Sequence, residues 1–193
     1  QYTDNFFKEE YALTIGIEFS TKTIIMKGKS IRLQIWDTTG TEVGRKYITS
    51  FFTRCDGIIL VYDVTNKYSF KDISYWINFI KEHAPTNILK VLVGNKCDMD
   101  ICREIIEEEG KKFAENNGMT YFEASAKTGK NINEIFDSLA IQINLKNENK
   151  SQNIIQNKIQ NKIESQIPPK KKETNNIFDI FYNFLFNNNN ENN

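Results

Sequence analysis

The sequence predicts an α/β fold on a mostly parallel sheet, and three observations predict it. Strand and helix patterns alternate from residue 17 to residue 143. Ile58–Tyr62 and Val91–Val93 are short, continuous apolar runs, as suits strands covered on both faces. Three polar motifs each follow directly on an expected strand, where open α/β sheets bind ligands.

Taken in order, Ile17–Met26 alternates in character and reads as a strand. Ile31–Trp36 is its partner, with Lys27-Gly28-Lys29-Ser30 as the hairpin turn. Ile58–Tyr62 follows as a buried strand. Ser69–Glu82 has helical spacing through Phe70, Ile73, Trp76, Ile77 and Ile80. Val91–Val93 is the next strand, Arg103–Asn116 a helix, Tyr121-Phe122 the last strand and Ile132–Ile143 the last helix. The globular domain is expected over residues 1–145. Residues 146–193 hold 14 Asn among 48 positions and read as a low-complexity, largely disordered tail. Within it, the apolar run Ile177–Phe186 follows Lys170-Lys171-Lys172. That pairing suggests a peripheral membrane contact over 170–186, against the plainer reading of an unstructured tail.

Composition bounds the function. The 193 residues carry 25 basic and 25 acidic side chains, for a net charge of zero. A balance like this argues against a nucleic-acid binder, which needs a basic face. Three cysteines are too few for a disulfide framework and suit a reducing cytoplasm. No run approaches the roughly 18 apolar residues of a membrane span. His83, the one histidine, reads as a solvated residue near a helix end. Residue 1 is Gln rather than Met, which suggests a processed, trimmed or incomplete chain.

Each motif has a chemical reading. In Asp37-Thr38-Thr39-Gly40 a carboxylate ends a strand, where it can hold Mg²⁺ through water. A glycine there lets a backbone N–H approach a phosphate. In Asn95-Lys96-Cys97-Asp98 a carboxylate can accept from N1–H and the exocyclic amine of guanine. Adenine offers neither donor, so the same carboxylate would be left unpaired against it. The Lys96 stem can cover the base plane, and the Asn95 amide can tie neighbouring loops. Ser125-Ala126-Lys127 can donate backbone N–H groups to guanine O6, with Lys127 over the other ring face. Each also has a bland reading as a polar turn; their order, each after a strand, outweighs it.

With those residues on view, the chain resembles the Ras superfamily of small GTPases, and within it the Rab family. Thr14–Phe19, Arg32–Gly40, Val61–Thr65, Val93–Asp98 and Glu123–Lys127 carry the resemblance, which covers residues 1–145. It implies a small-GTPase-like, doubly wound sheet and the cofactors GTP or GDP with Mg²⁺. It implies that Thr14 ligates Mg²⁺ and that Asp37 holds it through water. The Gly40 N–H would bind the γ-phosphate, and Asn95, Lys96, Asp98, Ser125, Ala126 and Lys127 would hold guanine. Ile17, Phe19, Trp36 and Phe51 would face Rab effectors and regulators; the alternative for these aromatics is core packing.

The chain departs from the family in three ways. No G-x-x-x-x-G-K-[ST] occurs in it; Gly28-Lys29-Ser30 lies in the hairpin turn. Aligned on the other motifs, Gln1 falls late in the family's first helix. The expected sheet therefore misses its first, central strand and splits, leaving two unpaired apolar edges. On that ground residues 1–193 alone are expected not to form a stable monomer. Thr41 stands where the family has a water-orienting Gln, so slow hydrolysis is expected. Thr39 and Val43-Gly44 also differ from the usual residues. No Cys follows Cys102, which excludes prenyl anchoring through the terminus Glu191-Asn192-Asn193. The function implied is a GTP-hydrolysing switch in vesicle traffic. The alternatives are a non-catalytic pseudo-GTPase binding module and a degenerate fragment.

Overall fold

The computed structural model describes residues 1–9, 14, 16–39 and 45–166, the side chains of 45–47 and 163–166 excepted. It comprises two compact units, Gln1–Asn149 and Lys150–Asn193. In chain order the elements are β1 (Ile17–Met26), β2 (Lys29–Thr38), α1 (Arg45–Phe52), β3 (Gly57–Asp63) and α2 (Lys67–His83). They continue with β4 (Leu89–Asn95), a 3₁₀ turn over Asp100–Cys102, α3 (Glu107–Asn116), β5 (Thr120–Glu123) and α4 (Ile132–Gln166).

The described strands form two separate sheets. One is the antiparallel hairpin β1–β2; the other is parallel, in the order β3–β4–β5. No described strand pairs with the second edge of β2 or of β3, so the split expected from the sequence is present among the described residues. Val61 shows the consequence. It lies mid-strand in an apolar run, yet it is 55% exposed.

The parallel sheet is covered on both faces. Leu60, Tyr62 and Leu92 point to one side, where they meet Phe70, Ile73, Ile77 and Ile80 of α2 and Ala114 of α3. Val91, Val93 and Ala124 point to the other, against Ile135 and Leu139 of α4. The period-2 alternation of the strands and the 3.6 period of the helices thus fill two cores. Helix α2 starts because the Asn66 side chain accepts from the Tyr68 and Ser69 N–H groups, and it ends at Ala84, just before Pro85.

Several boundaries differ from the sequence reading. The hairpin turn is only Lys27-Gly28, with φ of 49° and 74°. Both values are positive, as a two-residue type I′ turn requires, so Lys29 and Ser30 belong to β2. Helix α1 is not foreseen at all. It is one short stretch of eight residues whose buried anchor is Ile48. Helix α3 begins at Glu107 rather than Arg103, because the backbone is extended at Arg103 and Ile106 and the Glu104 and Ile105 N–H groups donate to the Val64 carbonyl instead. The largest difference is at the end of the domain. Disorder is expected from residue 146, but α4 runs on to Gln166. Residues 146–166 contain neither Gly nor Pro and are rich in Lys and Gln, which favour helix. In the second unit, the described helix side chains from Lys150 to Lys162 are all exposed. Residues 167–193, with the segment 170–186, lie outside the described residues.

His83 is not free in solvent. Its ring stacks on Phe79 at 4.3 Å and its Nδ1 lies 2.8 Å from the Phe79 carbonyl oxygen.

Candidate guanine-nucleotide site

The site is built where β3, β4 and β5 end side by side. In the parallel register Asp63 sits opposite Asn95, and Gly94 opposite Glu123. Their carboxyl ends therefore open into three adjacent loops. Backbone bonds sew these loops together: Val64 N–H donates to the Asn95 carbonyl at 3.0 Å, and Cys97 N–H to the Ala124 carbonyl at 3.0 Å.

The Asn95 side chain joins two of the motifs, its Oδ1 accepting from the Ala126 N–H at 3.0 Å. Ser125 is fully buried and its Oγ accepts from the Thr128 N–H at 3.0 Å, which folds the loop carrying Ala126 and Lys127. Asp98 is exposed, and it makes no hydrogen bond or ion pair with another described residue. Lys127 is exposed and meets Glu9 at 3.3 Å, a surface pair of small energetic weight. Lys96 has φ of 65°, an uncommon value for a non-glycine residue, and its ammonium lies 2.6 Å from Asp63 Oδ2. The sequence motifs are thus brought into one loop cluster: Asn95, Lys96 and Asp98 from β4, and Ser125, Ala126 and Lys127 from β5.

A second group sits on the hairpin. Thr14 Oγ donates to Asp37 Oδ2 at 3.3 Å. Two hard oxygen donors meet here, a donor set that suits Mg²⁺. Thr39 N–H donates to the Gly16 carbonyl at 3.0 Å, closing the backbone beside them. Gly40 and Thr41 lie outside the described residues.

The aromatic residues form a surface cluster and not a core. Phe19 and Trp36 face each other across the hairpin at 4.4 Å, and Trp36 meets Phe51 of α1 at 4.9 Å. Phe19 is 47% and Trp36 45% exposed. Ile17 lies on the same strand face as Phe19, two residues away, and is half-buried.

Sequence reasoning missed the groups that brace the base-side loops. Arg103 makes a two-pronged pair with Glu123, at 2.6 and 3.0 Å, while its Nε holds Asp100 at 2.7 Å. The hydrogen bond to Glu123 is the main cause that holds the guanidinium in its charged form, well above its usual range. Tyr121 and Tyr62 share a hydrogen bond at 3.0 Å beside Glu123, and burial pushes both phenols up. Asp63 was also missed. The signal that finds it is the one that found Asp37: a carboxylate at the end of a strand. Among the described residues no cluster of His, Cys, Asp and Glu forms a self-contained metal site.

The family model described as Ras family matches residues 1–145. The chain is 42% identical over 146 residues to Ras-related protein Rab-13 of Mesocricetus auratus, covering 76% of this chain and 72% of that protein. It is 42% identical over 150 residues to Ras-related protein Rab-8B of Bos taurus, covering 78% and 72%. It is 41% identical over 143 residues to GTP-binding protein ypt2 of Schizosaccharomyces pombe, covering 74% and 72%.

Proposed function

We propose a function from one premise: this chain belongs to the Ras family and, within it, to the Rab small GTPases. Small GTPases of this kind bind guanine nucleotide with Mg²⁺. The reading for this chain is a guanine-nucleotide switch acting in vesicle traffic, whose base is selected by the loops after β4 and β5. The observation that carries it is the bond from the Ala126 N–H to Asn95 Oδ1, which locks the two loops together beside the exposed Asp98 carboxylate, which has no partner among the described residues.

Asp98 accepts from guanine N1–H and the exocyclic amine, a choice that leaves its carboxylate unsatisfied against adenine. Ser125 shapes the second loop, and Ala126 and Lys127 face the O6 side and the ring. The Lys96 stem covers the base. On the hairpin side Thr14 and Asp37 would hold Mg²⁺, Asp37 through a water, and the Gly40 N–H would serve the terminal phosphate. Bound there, the metal supplies neutralisation of phosphate charge during attack by water. Thr41 stands where the water-orienting residue belongs. Its side chain is shorter and carries donor and acceptor on one oxygen, so it cannot span water and phosphate as a longer side-chain amide does, and slow hydrolysis is expected. Ile17, Phe19, Trp36 and Phe51 present the surface to effectors and regulators.

The exposed Phe19–Trp36–Phe51 cluster favours a second reading, a binding module that engages partners without hydrolysis. One experiment separates the two: titration of the full chain with fluorescent GDP and ADP in Mg²⁺. GDP-selective binding that Asp98→Asn removes supports the switch. Equal or absent binding of both nucleotides sinks it and leaves the binding module. If turnover is seen, Thr41→Gln is expected to raise it; an unchanged rate removes Thr41 from the account.

A further inference from the structure

The Lys96–Asp63 pair asks for a use. Lys96 occupies a left-handed backbone conformation, which a side chain disfavours and which persists where surroundings impose it. Its side chain is half exposed, yet its ammonium is held at 2.6 Å by a carboxylate that is only 22% exposed. That carboxylate is itself fixed. Asp63 Oδ1 accepts from the Thr65 N–H at 2.9 Å and from Thr65 Oγ at 2.7 Å, leaving Oδ2 for Lys96. The base of the arrangement is rigid, since Asp63 and Asn95 are register partners and Val64 N–H bonds to the Asn95 carbonyl.

We propose that Asp63 is a positioning residue for nucleobase recognition: it pins the Lys96 ammonium so that the Lys96 stem stands as a preformed wall beside Asp98. This rests on the base-side reading given above. A lysine stem anchored only at its backbone samples many rotamers, and a base that packs on it must first order it. Anchoring the far end orders the stem before the base arrives. Burial pushes the Asp63 carboxyl up, but hydrogen bonds from Lys96 and Thr65 outweigh this and hold it below its ordinary value. The carboxylate is therefore charged at neutral pH, as the anchor requires. Asp63 touches no base in this arrangement; it acts through Lys96.

The assignment separates affinity from discrimination. A stem covers the ring face, which guanine and hypoxanthine share. Asp98 reads the edge, where hypoxanthine lacks the exocyclic amine. The test is the affinity of the full chain for GDP and for IDP. Asp63→Asn keeps an oxygen for Thr65 but turns an amide toward Lys96. It is expected to weaken GDP and IDP by the same factor, about two- to fivefold for a partly exposed pair. Lys96→Met keeps the stem but lacks the ammonium and is expected to show the same loss, with Asp63→Asn adding nothing in its background. Asp98→Asn is expected to change the GDP:IDP ratio instead. Unchanged affinities in Asp63→Asn, or an equal loss with and without the Lys96 ammonium, overturn the positioning role. Should Asp63→Asn not fold, undiminished affinity in Lys96→Met overturns it equally. If the parent chain binds GDP no better than ADP, the base-side reading falls and takes this role with it.

Discussion

The three-stranded sheet and the hairpin carry different residue patterns, continuous apolar runs against alternation, and are packed very differently. Strand β4 buries four consecutive residues, Val91–Gly94, between two layers of helix. Strands β1 and β2 pair over ten residues each and bury none. The hairpin is held instead at a few points. Lys22 Nζ donates to the Tyr2 carbonyl at 2.6 Å, and the Tyr2 ring stacks on Phe136 of α4 at 4.0 Å. Both regions carry parts of the candidate nucleotide site. The base-side residues stand on the packed sheet, while Thr14 and Asp37 stand on the hairpin. Ladder hydrogen bonds satisfy a strand's backbone, but burial against a second layer supplies most of the stabilisation. The comparison therefore gives the proposed base-side residues the more deeply packed support and the proposed effector surface the shallower one.

Substitutions can break or sharpen that contrast. The largest loss is expected from Arg103→Ala, which strands the Glu123 carboxylate behind the base-side loops. Breaking a pair with side chains only 16% and 10% exposed should cost about 3 kcal/mol, read by urea unfolding. A loss under about 1 kcal/mol would show that solvent reaches Glu123. Next, Leu92→Ala in the fully buried β4 position should cost about 2 kcal/mol, while Leu33→Ala in the half-buried hairpin costs under about 1 kcal/mol. Equal losses would erase the distinction. Gly110→Ala is a closer contest. Alanine gains about 1 kcal/mol in helix propensity, but its Cβ would clash first with Tyr62 Oη and lie 2.7 Å from Tyr121 Oη, and overpacking costs about 1–3 kcal/mol. Net destabilisation is expected; a stabilised variant would mean that the two tyrosines part easily.

A smaller effect tests the hairpin's anchorage. Burial, then the Asp137 charge and hydrogen bond, push the Tyr2 phenol up to about 12 from 10.0. The raised value means the neutral phenol supports the folded state fully below pH 10, and this support is lost as pH rises towards 12. A tyrosine absorbance titration should show a late step that Tyr2→Phe removes; an identical titration in the variant would detach Tyr2 from α4. Least of all, Ile25→Thr at an 83% exposed hairpin position should move stability by no more than about 0.5 kcal/mol.

The sequence was most legible where the packing is strongest. Val91–Val93 announces a buried parallel strand because both of its faces are covered, so nothing polar interrupts it; Ile58–Tyr62 carries the same pattern although Val61 is exposed. The motifs after β4 and β5 were legible for a related reason: each begins where an apolar run stops. Asp37 could be named from its motif and Thr14 from the family resemblance, but their contact at 3.3 Å could not. What stayed hidden depends on contacts between distant residues. Arg103 meets Glu123 twenty positions away, and the backbone just after it is tied to the Val64 carbonyl, in a segment whose helical pattern starts too early. Asp63 looked like one member of an apolar strand ending until Lys96 was seen against it. Helix α1 is too short for its periodicity to stand out, and α4 runs past the apolar positions that signalled it.

The region around the base-side loops also holds two cysteines of opposite character. Cys97 is buried between Lys96 and Asp98, and burial pushes its thiol up, away from the reactive thiolate. Cys102, five residues on, is exposed. A thiol reagent at neutral pH thus meets a fast site and a slow one within a single peptide. Alkylation of Cys97 becomes a clock for the opening of the Asn95–Asp98 loop, and a bound base that closes the loop should stop it.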